Sequence, residues 1–288
     1  GSATITYSIT GGCGGTVSAN QSITIHPNAA ITSVTGTSAI CIGATTTYSA
    51  NGVVLGGTGT GTWSSSNTAV ATVNASGVVT GVAAGSATIT YSITGGCGGT
   101  VSANQSITIH PNAAITSVTG TSAICIGATT TYSANGVVLG GTGTGTWSSS
   151  NTAVATVDAS GVVTGVAAGS ATITYSITGG CGGTVSANQS ITINPNAAIT
   201  SVTGTSAICI GATTTYSANG VVLGGTGTGT WSSSNTAVAT VNASGVVTGV
   251  AAGSATITYS ITGGCGGTVS ANQSITIHPN AEIGRAHV

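Results

Sequence analysis

Covalent chemistry in this chain can come from two residue sets. Cys13, Cys97, Cys181 and Cys265 each stand in Gly-Gly-Cys-Gly-Gly, and Cys41, Cys125 and Cys209 each in Ala-Ile-Cys-Ile-Gly. No Cys-x-x-Cys occurs, so neither a dithiol redox site nor a zinc site has the spacing it needs. Cysteines at fixed repeat positions therefore read as disulfide partners in an oxidising compartment. The second set is asparagine. Asn20, Asn104, Asn188 and Asn272 open Asn-Gln-Ser, and Asn74 and Asn242 open Asn-Ala-Ser, all fitting the Asn-x-Ser/Thr glycan acceptor pattern. The same residues also read as ordinary outward strand and turn positions. Asp158 stands where Asn74 recurs, which removes one acceptor without disturbing a turn that takes either residue. Thr58, Thr60 and Thr62 offer hydroxyl acceptors.

Other chemistry is excluded by what is missing. Asp158, Glu282 and Arg285 are the only charged residues apart from histidine, and there is no lysine. Nucleic acid is not an expected partner, because phosphate neutralisation needs a basic surface. A hard-cation site needs clustered carboxylates, and a general acid–base pair cannot be assembled; the expectation is no enzyme and no cofactor. His26, His110 and His278 lie next to linker prolines and far apart in sequence, which fits a structural role and not a shared metal. The glycine-rich run 56–61 lacks the lysine of a phosphate loop. No run of about 20 apolar residues appears, so this fragment has no membrane span. A surface this poor in charge favours self-association.

Positioning these residues falls to a repeated unit. Gly-Ser-Ala-Thr-Ile-Thr-Tyr begins at Gly1, Gly85, Gly169 and Gly253, and the copies differ only at Asn74/Asp158/Asn242 and at His26/His110/Asn194/His278. A period of 84 residues is a domain, not a solenoid coil. In 87–93, Ala87, Ile89, Tyr91 and Ile93 alternate with Thr88, Thr90 and Ser92, the period of a half-buried strand. Val101 to Ile109 alternates likewise, with Gln105 as an awkward inward residue, and Gly95 to Gly99 forms the hairpin between the two. Further strands are predicted at 44–50, 62–66, 70–73 and 78–82, with a split first strand at 31–34 and 39–42. Seven short strands with frequent turn signals indicate an all-β, immunoglobulin-like Greek-key sandwich, repeated in tandem as an elongated rod. Trp63, Trp147 and Trp231 take the place of the core tryptophan of its third strand.

The runs Trp63-Ser64-Ser65-Ser66-Asn67, Val70-Ala71-Thr72-Val73, 77–85 from Gly77 to Gly85, and Ala87-Thr88-Ile89-Thr90 resemble the bacterial Ig-like domain, group 2. The resemblance covers most of every repeat. It implies a β-sandwich found in tandem in secreted and cell-surface bacterial proteins, adhesins among them, with no catalytic residues to carry over. The cysteine placement is similar to surface repeats of Bacteroidetes-like bacteria. On this boundary the domains are 27–110, 111–194 and 195–278, with residues 1–26 as the last hairpin of a truncated domain. Residues 279–288 begin another repeat and then depart from it at Glu282, where the tail resembles a translated sequencing adapter; the chain reads as a fragment of a longer array.

Strand order then bears on cysteine pairing. Linking Cys41 to Cys97 within one domain would leave Cys13 without a partner. Antiparallel alternation places those two at opposite poles, a strand length of roughly 20 Å apart, whereas disulfide Cα atoms lie within about 7 Å. Pairing between neighbouring domains, Cys41–Cys181 and Cys125–Cys265, brings facing poles together and is favoured; both pairings stay open. The functional expectation is a non-catalytic extracellular structural protein, a fibre or stalk of Ig-like repeats with disulfide support and glycans, self-associating into filaments. The alternative is the stalk of an adhesin whose binding domain lies outside the fragment. Either places the protein outside the cell or on its surface.

Overall fold

Alternation in the sequence becomes the long strands of each repeat. In the computed structural model, which describes residues 1–281, a hairpin of β1 (Ser2–Gly12) and β2 (Gly15–Thr24) comes first. Nine strands of the first repeat follow: β3 (Ser33–Thr35), β4 (Ala39–Cys41), β5 (Thr45–Thr47), β6 (Ser49–Asn51), β7 (Thr60–Ser65), β8 (Ala71–Val73), β9 (Val78–Gly81), β10 (Gly85–Thr94) and β11 (Val101–His110). The adapter-like segment 282–288 lies outside the described residues.

Contacts divide the chain into two units. The first comprises Gly1–Ala114 with Val137–Gly145 and Ile177–Val185, so it holds the first repeat and the hairpin end of the second. Its four-stranded sheet runs β4-β11-β10-β7, facing a three-stranded sheet β5-β9-β8 and a two-stranded sheet β3-β6. Strand β4 pairs parallel to β11, with Cys41 opposite His110. Strand β10 pairs antiparallel to both β11 and β7, and places Tyr91 opposite Trp63. The expected single strand over 44–50 is two short ones. Tyr48 separates them, turns inward, and leaves β5 on β9 and β6 on β3.

Ile89, Ile107, Ile109, Val79, Ala71, Ala87, Val34 and Tyr48 form the core, and Trp63 and Tyr91 pack against it. Their rings meet edge to face at 4.9 Å, a favoured aromatic geometry. The second unit comprises Ile115–Gly136, Thr146–Ser176 and the described residues from Ser186 onward. It holds two equivalent cores, around Ile173 and Ile191 and around Ile257 and Ile275. The third repeat repeats the four-stranded order of the first. Together these are three tandem Ig-like domains with no helix among the described residues.

Gln105 resolves the one discord in the strand pattern. Its side-chain amide donates to the Gly36 carbonyl at 2.8 Å, tying β11 to the turn after β3, and Gln189 and Gln273 do the same in the later repeats. Gln105→Ala removes the partner of a partly buried carbonyl and is expected to cost about 1 kcal/mol in denaturant melts, with Gln105→Glu failing to restore it because a carboxylate cannot donate.

Tyr48, Tyr132 and Tyr216 also satisfy their polar ends, each hydroxyl donating to a carbonyl at 2.8–2.9 Å. Burial raises all three hydroxyls above the ordinary tyrosine value of 10.0. A raised folded value means the stabilisation is complete below pH 10 and is lost as pH rises through the folded values, because the unfolded phenols ionise first. With two acidic side chains in the chain, acid has few carboxylates to protonate. Stability is therefore expected to hold from mildly acidic pH to about pH 9 and to fall above about pH 10, as read from urea midpoints across that range.

Candidate functional site

Two covalent joints are the chemistry that the fold assembles. The first lies wholly in the first unit. Cys41 ends β4, where pairing with β11 brings it beside His110, and the glycine hairpin around Cys181 meets it. The two cysteines are bonded, with Cα atoms 5.5 Å apart and a sequence separation of 140. Backbone bonds seat the hairpin: Ala113 N–H donates to the Cys181 carbonyl at 2.6 Å, and Cys181 N–H donates to the Gly140 carbonyl at 2.8 Å.

Glycine makes this approach feasible. Gly140 has φ +69°, and a Cβ there would lie 2.8 Å from Ala113 N and 2.9 Å from Cys181 N. Both the left-handed backbone and the backbone contact require glycine. The run 56–61, repeated at 140–145, is thus a seat for the joint and not a phosphate cradle.

The second joint lies wholly in the second unit and repeats the first. Cys125 ends a strand that pairs parallel with Val185–Asn194, and it is bonded to Cys265, Cα atoms 5.4 Å apart, again over 140 residues. Ala197 N–H donates to the Cys265 carbonyl at 2.6 Å, and Cys265 N–H to the Gly224 carbonyl at 2.9 Å. A cavity of about 250 Å³ beside it is lined by Ile124, Cys125, Asn194, Thr226, Gly264 and Cys265.

Cys13, Cys97 and Cys209 carry free thiols. Cys97 nevertheless sits in the same backbone frame, with Ala29 N–H donating to its carbonyl at 2.7 Å and its own N–H donating to Gly56 at 2.8 Å. The hairpin β1–β2 closes no sandwich among the described residues. Ile5 and Ile9 are 61% and 56% exposed, whereas their equivalents Ile89 and Ile93 are fully buried.

His26 and His110 each pack against the next glycine along that run. A Cβ on Gly57 would lie 3.0 Å from the His26 ring, one on Gly141 2.9 Å from that of His110, and one on Gly225 2.9 Å from the Asn194 amide. A flat polar side chain is what the position needs, so histidine and asparagine interchange. No cluster of three metal-ligating side chains occurs among the described residues.

Among the asparagines the structure separates two environments. Asn104, Asn188 and Asn272 are exposed on the outer strand face, and Asn20 is exposed on β2. Opposite Asn104 stands Thr90, and Thr90 in turn faces Ser64, so no large side chain crowds that face. Asn74 is engaged in its turn: its Oδ1 accepts from Ser76 N–H at 2.9 Å and Val78 N–H at 3.0 Å. Asn242 does the same, and Asp158 reproduces both bonds at 2.8 and 2.9 Å. Turn geometry alone thus explains the Asn–Asp exchange.

A family model described as bacterial Ig-like domain (group 2) matches residues 19–102, 103–187 and 187–269. Ice-binding protein 1 of Shewanella frigidimarina (strain NCIMB 400) is 40% identical over 210 residues, which are 68% of this chain and 22% of that protein. The chain therefore spans about a fifth of the length of that relative. Among solved structures, a three-Ig-domain fragment of titin aligns at TM-score 0.46 and 8% identity, over 84% of this chain and 95% of the fragment. Surface layer protein SbsC, domains 1–6, aligns at TM-score 0.29 and 17% identity, over 98% of this chain and 45% of that one.

Proposed function

The chain belongs to the bacterial Ig-like domain (group 2) family, and from that premise we propose that it is a non-catalytic extracellular structural protein, a fibre or stalk of Ig-like repeats locked together by disulfides. The observation that carries this reading is the joint. One bond geometry recurs at Cys41–Cys181 and Cys125–Cys265 with the same backbone seat and the same separation of 140 residues. Near-identical repeats make near-identical joints, and a repeated joint builds a regular array. Disulfides and the family both point to the cell surface or beyond it. No helix among the described residues is long and apolar enough to cross a membrane.

Side-by-side association into filaments follows from a surface with one basic and two acidic side chains in 288 residues, which offers little repulsion between copies. Glycans on Asn20, Asn104, Asn188 and Asn272 would sheathe the outer strand face. Asn74 and Asn242 retain a free amide nitrogen and complete the acceptor set. Intact mass of the native protein above that of the bare polypeptide supports the glycans; equality with it removes them.

The match to a fifth of Ice-binding protein 1 favours a second reading, in which such repeats are the stalk of a longer protein that binds a surface through a distal domain. Electron microscopy of native material separates the two. Long uniform filaments are expected of the fibre, and short projections ending in a distinct tip would transfer the protein to the stalk class.

A further inference from the structure

The two bonds overlap in sequence, and the overlap changes which covalent bonds hold the array together. Cys41–Cys181 encloses Cys125, and Cys125–Cys265 encloses Cys181. The disulfides thus form two nodes joined by three backbone segments: 41–125, 125–181 and 181–265. The outer two are 84 residues long and contain the linkers around Pro111 and Pro195; the middle one is 56 residues long and contains neither.

We propose that this three-way bridge is a covalent safety device, in which tension passes through the disulfides and the middle segment, bypassing both linkers. Two consequences follow from connectivity. Under stretch, the shortest route between the nodes becomes taut first, so the middle segment bears the load while the longer outer segments stay slack. Cleavage of any one segment, or of both outer segments together, leaves the chain in one covalent piece. An array exposed to proteases outside the cell then survives cuts at every linker that the bonds span, and linkers are the exposed connections where nicking concentrates. The device depends on the cysteine pairing alone and is the same whether the array is a fibre or a stalk.

Trypsin offers a clean test, because the chain has no lysine and its one arginine, Arg285, lies three residues from the end. Ser122 and Ser206 are exposed and precede Cys125 and Cys209. The Ser122→Lys/Ser206→Lys variant is folded and oxidised, its free thiols are blocked, and it is digested to completion in denaturant. Apart from the tripeptide 286–288, which trypsin removes after Arg285 in every case, it is expected to run as one species without reductant and as three fragments with it. Release of any larger fragment without reductant overturns the proposal. Asn112→Lys, placed in the linker itself, makes the same test should the serine variant fail to oxidise. Asn28→Lys is the control, since no bond spans it and its hairpin must come free. Pulling the oxidised chain from its ends measures the load path directly. The stretch between Cys41 and Cys265 should reach about 200 Å, the span of 56 extended residues, and about four times that once reduced. An oxidised reach equal to the reduced one contradicts the device.

Discussion

The Cys41→Ser/Cys181→Ser double variant is expected to lose about 5 kcal/mol of stability, the loop entropy released when a closure of 140 residues is opened. Both cysteines are replaced so that neither is left to pair with Cys97, which is free in the same backbone frame. What remains at the joint is the pair of backbone bonds to Ala113 and Gly140, each contributing about 1 kcal/mol. Urea melts of the oxidised parent, the variant and the reduced parent provide the measurement. The variant should melt early, and reduction should shift the parent further, because it also opens Cys125–Cys265. Equal midpoints for all three would mean that the bonds contribute nothing to the folded state.

Ile89→Ala should cost between about 2 and 5 kcal/mol, the range for deleting a large aliphatic side chain from a close-packed interior. Ile89 is fully buried and lies in the core with Tyr48, Ile107 and Ile109. A single domain of this size holds only about 5–15 kcal/mol, so the first repeat should separate from the others on unfolding. Each repeat carries one tryptophan, Trp63, Trp147 or Trp231, packed on its own core. The variant is therefore expected to show an early transition with about a third of the fluorescence amplitude. One undivided transition at the parent midpoint would place Ile89 outside any core that matters.

Much of the sandwich was legible in the chain because period-two alternation is a direct print of a half-buried strand. Ile89, Ile107 and Ile109 fall inward as the alternation in β10 and β11 requires. Two features were not legible. The break at Tyr48 depends on a ring that seeks the interior and a carbonyl partner at Thr37, a contact eleven residues away. Gln105 broke the apolar pattern, and its reason lies 69 residues distant at Gly36; alternation records which face a residue takes, not what it meets there.

The site was legible in part for a similar reason. Cysteine types and spacing narrowed the bonds to two schemes, and choosing between them needed the pole at which each cysteine ends. The parallel pairing of β4 on β11 settles that pole in the fold by drawing Cys41 to His110. Short parallel edge strands such as Ala39–Cys41 carry no hairpin turn to announce them. The glycines that seat the joint were visible as a run, but their purpose depends on backbone at Ala113 and Cys181, far from Gly140 in sequence.

Cleavage at the three Asn-Gly bonds tests the pairing most directly, because peptides from identical repeats cannot be told apart by mass. Hydroxylamine cuts Asn51-Gly52, Asn135-Gly136 and Asn219-Gly220, one in each of the three bridging segments. With thiols blocked and reductant absent, complete cleavage is predicted to give two disulfide-linked pairs, 1–51 with 136–219 and 52–135 with 220–288. Bonds closed within each repeat, Cys41 to Cys97 and its equivalents, would instead hold all four fragments in one species, and that result would contradict the account.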